Sequence, residues 1–242
     1  LGAKAQTWSN GNYDDIEAGD DYYSFDYYEG SYWEVAPINF YLTNSGTQII
    51  FTKEQVAALA GKNITGMELK YYSEGAYIDD DVHLTITMTE TNRSSFYRDS
   101  NNNNRYRCFD ISEGTALFDD DVYFETINYD GMIAEPVEIA FTNSFYYSGE
   151  NNLLITVNAT GLTDTTNGAF YVNFFYDSDM SDQALVWATD NESWDDVLGS
   201  SNHLIPSSSV STIYAPMLQL SYDTGTPIEE TWQSYVPSED VD

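Results

Sequence analysis

Residues 82–89 alternate apolar and polar side chains without a break. Val82, Leu84, Ile86 and Met88 fall on one face of an extended chain, and His83, Thr85, Thr87 and Thr89 on the other. A helix cannot sort these side chains, because its period of 3.6 residues would scatter the apolar set around the axis. The stretch reads as a strand with one face buried and the other in water, the habit of an antiparallel sheet.

Further strand signals follow the same grammar. Leu153, Leu154, Ile155, Thr156 and Val157 form a more continuous apolar run, as expected of a strand deep in a sandwich. Residues 169–176 and 184–188 read as strands, and residues 213–222 as a last one whose Pro216 suits an edge or a bulge. Gly, Asn and Asp punctuate the intervals: Asn44-Ser45-Gly46, Ser148-Gly149-Glu150-Asn151-Asn152, Thr160-Gly161 and Asn167-Gly168. One short helix is expected over residues 53–60. Thr52 would be its cap, Gln55 would complete the capping box, and Gly61 would stop it. The fold class is therefore all-β: a two-sheet β-sandwich, jelly-roll-like, with one short helix. Residues 1–36 are an N-terminal strand region expected to join the sandwich, 37–222 form the sandwich domain, and 223–242 are an acidic tail or linker. There is no run of apolar residues long enough for a transmembrane helix.

Charge narrows the partners. The chain has 40 acidic and 8 basic residues, a formal charge of −32, and neither Lys nor Arg after Arg107. Such a surface repels phosphate backbones and anionic lipid heads, which argues against nucleic-acid and membrane-surface binding. High charge with few aromatics would suggest disorder, but 16% of residues are aromatic, 21 of them Tyr, so a folded chain with a charged shell is expected. The lone Cys108 cannot close an internal disulfide and reads as a small buried hydrophobe. Ala3-Lys4-Ala5 is similar to the small-x-small end of a signal peptide, with Gln6 as a mature start, and an exported protein is expected.

Three stretches resemble one family. The first runs through Pro37-Ile38-Asn39-Phe40-Tyr41, Ser45-Gly46-Thr47-Gln48-Ile49-Ile50-Phe51-Thr52, the short helix and Ile64-Thr65-Gly66-Met67. The second is Leu84-Thr85-Ile86-Thr87-Met88-Thr89-Glu90-Thr91 followed by Ser95-Phe96. The third and most distinctive is Phe145-Tyr146-Tyr147-Ser148-Gly149-Glu150-Asn151-Asn152-Leu153-Leu154-Ile155-Thr156-Val157, ending in Thr160-Gly161. Together they resemble a β-sandwich module that recurs in large secreted and surface proteins of Bacteroides-type bacteria. The resemblance implies a fold and an extracellular or cell-surface location, and it supplies no catalytic residues. The chain departs from the family over the acidic residues 110–129, where family modules carry a more polar, Trp-containing middle.

Candidate sites come from acids and aromatics. Asp79-Asp80-Asp81 and Asp119-Asp120-Asp121 each precede a Val that opens a strand, and Asp177, Asp179 and Asp182 follow a strand end. Loop carboxylates of this kind suit Ca²⁺, which takes 6–8 oxygens, so Asp79, Asp81, Asp119, Asp121, Asp177, Asp179 and Asp182 are the candidate ligands. Solvated loops are the plainer reading of each cluster in a chain with 40 acids. Tyr22, Tyr28, Trp33 and Trp194 are the candidate sugar-stacking residues. Tyr23, Phe25 and Tyr27 share the opposite strand face from Tyr22 and Tyr28, and one of the two sets is expected in the core. Carboxylate pairs could serve glycoside hydrolysis, but many pairs would qualify and none sits in a recognisable motif. His83, on the outward face of its strand, and His203, in a polar loop, have no nucleophile-elbow motif beside them, and two His with one Cys make a usual zinc site a poor fit. The expectation is a non-enzymatic extracellular adhesive or glycan-binding module, monomeric within a larger protein and facing a glycan or a host or neighbouring surface protein. A structural spacer or pilus-like subunit and a secreted glycoside hydrolase are the alternatives.

Overall fold

In the computed structural model, which describes residues 6–16, 22–23, 36–40, 42–74, 80–96, 98–99, 105–125, 135–161, 171–189, 204–205 and 210–223, antiparallel strands build two main sheets. The first holds seven strands: β1 (Gln6–Ser9), β16 (Gln219–Asp223), β4 (Lys62–Glu74), β11 (Tyr171–Asp177) and β15 (Ala215–Pro216) in spatial order, with β9 (Glu135–Tyr147) on the other side of β4 and β2 (Tyr22–Tyr23) on β11. The second holds six, in the order β14 (Val210–Ile213), β12 (Ala184–Thr189), β3 (Asn44–Phe51), β10 (Asn152–Thr160), β5 (Asp80–Thr91) and β8 (Thr115–Phe124). A small third sheet joins β13 (Leu204–Ile205), β7 (Arg105–Arg107) and β6 (Arg98–Asp99).

The main core lies between the two large sheets. Val82, Leu84, Ile86 and Met88 of β5 are all fully buried there, as their alternation requires. They meet Met67, Leu69 and Tyr71 of β4 and Val137 and Ile139 of β9 from the opposite sheet. Each such side chain removed from water contributes roughly 1.5–3 kcal/mol. Aromatic edges lock the layers: Phe40 meets Phe124 with ring centroids 5.1 Å apart, Tyr71 meets Phe124 at 5.4 Å, and Trp8 meets Phe51 at 5.2 Å.

The continuous apolar run in β10 has its own cause. Leu153, Ile155 and Val157 face the main core, while Leu154 turns outward to a second cluster with Ile50, Leu185 and Trp187. Phe96, Tyr106 and Cys108, brought in by the stretch around the small sheet, complete that cluster. The central strands of the six-stranded sheet are thus covered on both faces. Buried Gln48 rivets the cover in place: its side-chain amide donates to the Phe109 carbonyl (2.9 Å) and accepts from the Phe109 N–H (2.8 Å). Arg93 lies over the Phe109 ring at 4.4 Å and the Phe96 ring at 5.3 Å, and donates to the Arg107 carbonyl.

Three expectations change. The helix over residues 53–60 is instead a turn that ends in a single 3-10 turn (Ala57–Leu59). The capping box does form, with the Thr52 N–H donating to Gln55 Oε1 (2.7 Å) and the Gln55 N–H to Thr52 Oγ1 (3.4 Å). One i→i+4 bond follows, from Val56 N–H to Thr52 C=O, and the chain then tightens to i→i+3. Buried Val56 and Leu59 are three residues apart, the spacing that stacks side chains in a 3-10 turn, and so short a run cannot sustain a helix. Gly61, at φ +72, ends the segment, and its N–H is taken by Tyr147 C=O.

Asp119, Asp120 and Asp121 lie inside strand β8 and not in a loop. β8 is the edge of its sheet, where an acid can sit among strand residues and still reach water. The expected strand over residues 213–222 is divided: β14 ends in the six-stranded sheet and the chain then crosses to β15 and β16 in the other. Pro216 sits in β15, at the end of the spatial order, where a missing N–H costs no ladder bond.

Candidate functional site

The outer face of the seven-stranded sheet carries a trough of about 1040 Å³. Register explains the hollow. Thr7 of β1 pairs with Ser221 of β16, Ser221 with Gly66 of β4, and Gly66 with Ala140 of β9, so four small residues form one row across four strands. Gly66 suits the close packing there, since a Cβ at this position would meet the Ile139 carbonyl oxygen at 3.0 Å, a tight contact. The ladder shifts beside it, between Ile64 and Gly66 against β9 and between Ser221 and Tyr222 in β16. These irregularities bend the strands and deepen the row.

The next row is long and polar. Ser9 pairs with Gln219, Gln219 with Glu68, and Glu68 with Glu138. Glu68 and Glu138 are thus direct cross-strand neighbours, with Cβ atoms about 5 Å apart. Asp14 joins them through its carboxylate, which accepts from Gln219 Nε2 (3.3 Å). Buried Tyr13 donates its hydroxyl to Glu68 Oε1 (3.0 Å). Burial, reinforced by Glu68 and then by Asp14 and Glu138, pushes the Tyr13 hydroxyl far above its ordinary pKa of 10.0, so it stays a donor. Lys70 donates to the Tyr13 carbonyl (2.6 Å) and stacks on its ring at 4.7 Å. Among the described residues lining the trough there is no cation. The lining offers carboxylates, amides and hydroxyls; Tyr222, at its edge, packs against the main core.

A second polar group stands on the six-stranded sheet. His83 of β5 lies opposite Asp121 of β8, and Thr85 lies opposite Asp119. The His83 ring contacts Asp121 through Nδ1 (2.9 Å) and Asp119 through Nε2 (3.0 Å), and the Thr85 hydroxyl also donates to Asp119 (3.3 Å). All three His83, Asp119 and Asp121 side chains are well exposed. The hydrogen bond to Asp121 leads in raising the His83 pKa above 6.5; slight burial opposes it and Asp119 adds to it.

Of the residues singled out in the sequence, Asp119, Asp121 and His83 meet in this group, and the others fall elsewhere. Asp177 accepts the Asp179 N–H (3.1 Å) and so shapes its own turn, while Asp182 takes a left-handed conformation at φ +58. Asp81 stands opposite Tyr123 at the start of β5. Among the described residues, no group of three His, Cys, Asp or Glu side chains is arranged to hold a metal ion. Tyr22 lies in β2, opposite Phe175. Tyr28, Trp33, Trp194, His203 and Asp79 lie outside the described residues. The trough residues left no local signal in the sequence. Thr7, Gly66, Ala140 and Ser221 are unremarkable singly and meet only through the pairing of distant strands.

No family model matches the chain, and no curated protein or solved structure is significantly similar to it.

Proposed function

We propose that this chain is a non-enzymatic extracellular β-sandwich module that binds glycans in the trough on its seven-stranded sheet. The observation that carries the reading is the row Thr7–Ser221–Gly66–Ala140, a hollow four strands wide, flanked by the hydrogen-bonding row Gln219–Glu68–Glu138. The hollow, at about 1040 Å³, is slightly larger than the roughly 300–1,000 Å³ usual for small-molecule sites, room for an oligosaccharide. Its rim presents fixed acceptors and amide donors, the groups that hold sugar hydroxyls. Glu68 and Glu138 stand side by side on one sheet and not on opposing walls of a cleft, which supports binding over hydrolysis. The chain's acidity and the resemblance of its sequence to secreted surface modules support the extracellular setting.

The test is calorimetric titration against a panel of oligosaccharides, with Ala140→Trp and Gln219→Ala as variants. Ala140 is exposed on the trough, so a Trp there fills the hollow without entering the core. Binding by the wild type that Ala140→Trp abolishes and Gln219→Ala weakens about tenfold, roughly 1.4 kcal/mol, is expected. Binding that survives both changes would move the site elsewhere. Silence toward the whole panel would leave the chain as a spacer or a protein-binding adhesive module.

A further inference from the structure

We propose, building on the glycan-binding reading, that the trough accepts uncharged saccharides and turns away anionic ones such as uronates, sialylated and sulfated sugars. Three carboxylates, Asp14, Glu68 and Glu138, meet along one side of the hollow. Glu68 and Glu138 are direct cross-strand neighbours, so two negative charges are concentrated on one side of the hollow. The nearest cation on the strand, Lys70, is held by the Tyr13 carbonyl and ring. The Tyr13 hydroxyl fixes one oxygen of Glu68, leaving its remaining lone pairs and all of Glu138 as acceptors.

An ionised carboxylate only accepts hydrogen bonds, so a ligand in this trough must bring donors. Every neutral sugar carries hydroxyl donors over its whole surface. A carboxylate or sulfate group brings acceptors and negative charge alone, placed well inside the ~8 Å over which physiological salt fails to screen. Discrimination therefore arises from two causes, hydrogen-bond mismatch and repulsion, and only the second responds to salt.

The experiment compares a neutral xylo- or manno-oligosaccharide panel with oligogalacturonates and heparin oligosaccharides of matched length, by calorimetry at low and high salt. Wild-type protein is expected to bind its best neutral ligand at least about tenfold tighter than any anionic one, with the gap narrowing near 1 M salt, where the Debye length is about 3 Å. Glu138→Gln and the double variant Asp14→Asn/Glu138→Gln change exposed side chains and introduce amide donors. They are expected to close the gap from both sides, admitting anionic sugars and weakening neutral ones, whose hydroxyls lose a carboxylate acceptor. Melting temperatures no lower than that of the wild type verify that both variants are folded. Anionic sugars bound by the wild type as tightly as neutral ones, or discrimination that persists in the folded double variant, would overturn the selectivity and leave glycan binding intact. No binding by any saccharide would overturn the glycan reading, and the selectivity with it.

Discussion

Gly149 turns the chain from β9 into β10 at φ +81, a conformation that costs an L side chain dearly, and a Cβ there would sit 2.6 Å from the Ala60 Cβ. Gly149→Ala is therefore expected to lose about 1–3 kcal/mol in denaturant-induced unfolding. A midpoint equal to the wild type would show that the turn re-forms in another way. His83 acts through pH. Its folded-state pKa lies above 6.5, chiefly through the Asp121 hydrogen bond, so its contribution is complete below 6.5 and is lost as pH rises through the folded value. The expected signature is a melting-temperature advantage over His83→Gln that shrinks on the alkaline side, together with a raised NMR titration midpoint for the ring. The effect is small, because the ring is 46% exposed.

At the level of elements, β8 shows how an edge can be hidden in a sequence. Register sets Asp120 beside Leu84, on the phase of Val122 and Phe124, yet Asp120 is exposed. This inward-phase charge broke the alternation by which β5 was legible, and the same charge blunts the strand against pairing with other chains. Asp120→Val is expected to raise the proportion of aggregate in light scattering, and a strictly monodisperse variant would remove that role. The turn at residues 53–60 misled for a different reason, since its capping box and its stopping Gly61 are both real. What local signals could not reveal is that Val56 and Leu59 are drawn into the core at 3-10 spacing. The second cluster depends on Gln48. Gln48→Leu leaves the Phe109 N–H and C=O without that partner at a cost of about 1–3 kcal/mol. Cys108 reports on the cover: its thiol is buried and pushed up to about 12 by that burial. In Gln48→Leu it is expected to react with a thiol reagent under conditions where the bulk of the protein stays folded, whereas in the wild type it stays inert until global unfolding.

Over the whole molecule, 40 acids face 8 cations, and all four arginines fall between residues 93 and 107. A body with a formal charge of −32 repels itself when compact, and added salt shortens the reach of that repulsion from about 30 Å at 0.01 M to about 3 Å at 1 M. The melting temperature is expected to rise across that range of NaCl; a flat response would mean that the acids are too dispersed to matter. The layered fold was legible because burial imprints a period on each strand separately. The trough was not, because its two rows arise from strands joined across most of the chain, and no single strand carries either row. That same pairing bears on how the molecule comes to be. β16, the last described strand, lies between β1, the first, and β4. The seven-stranded sheet therefore cannot zip together in the order in which the chain is made: its opening strand must wait, unpaired, for a partner at the far end. Such distant contacts are closed slowly. The trough, whose floor crosses that seam, is complete only when folding is.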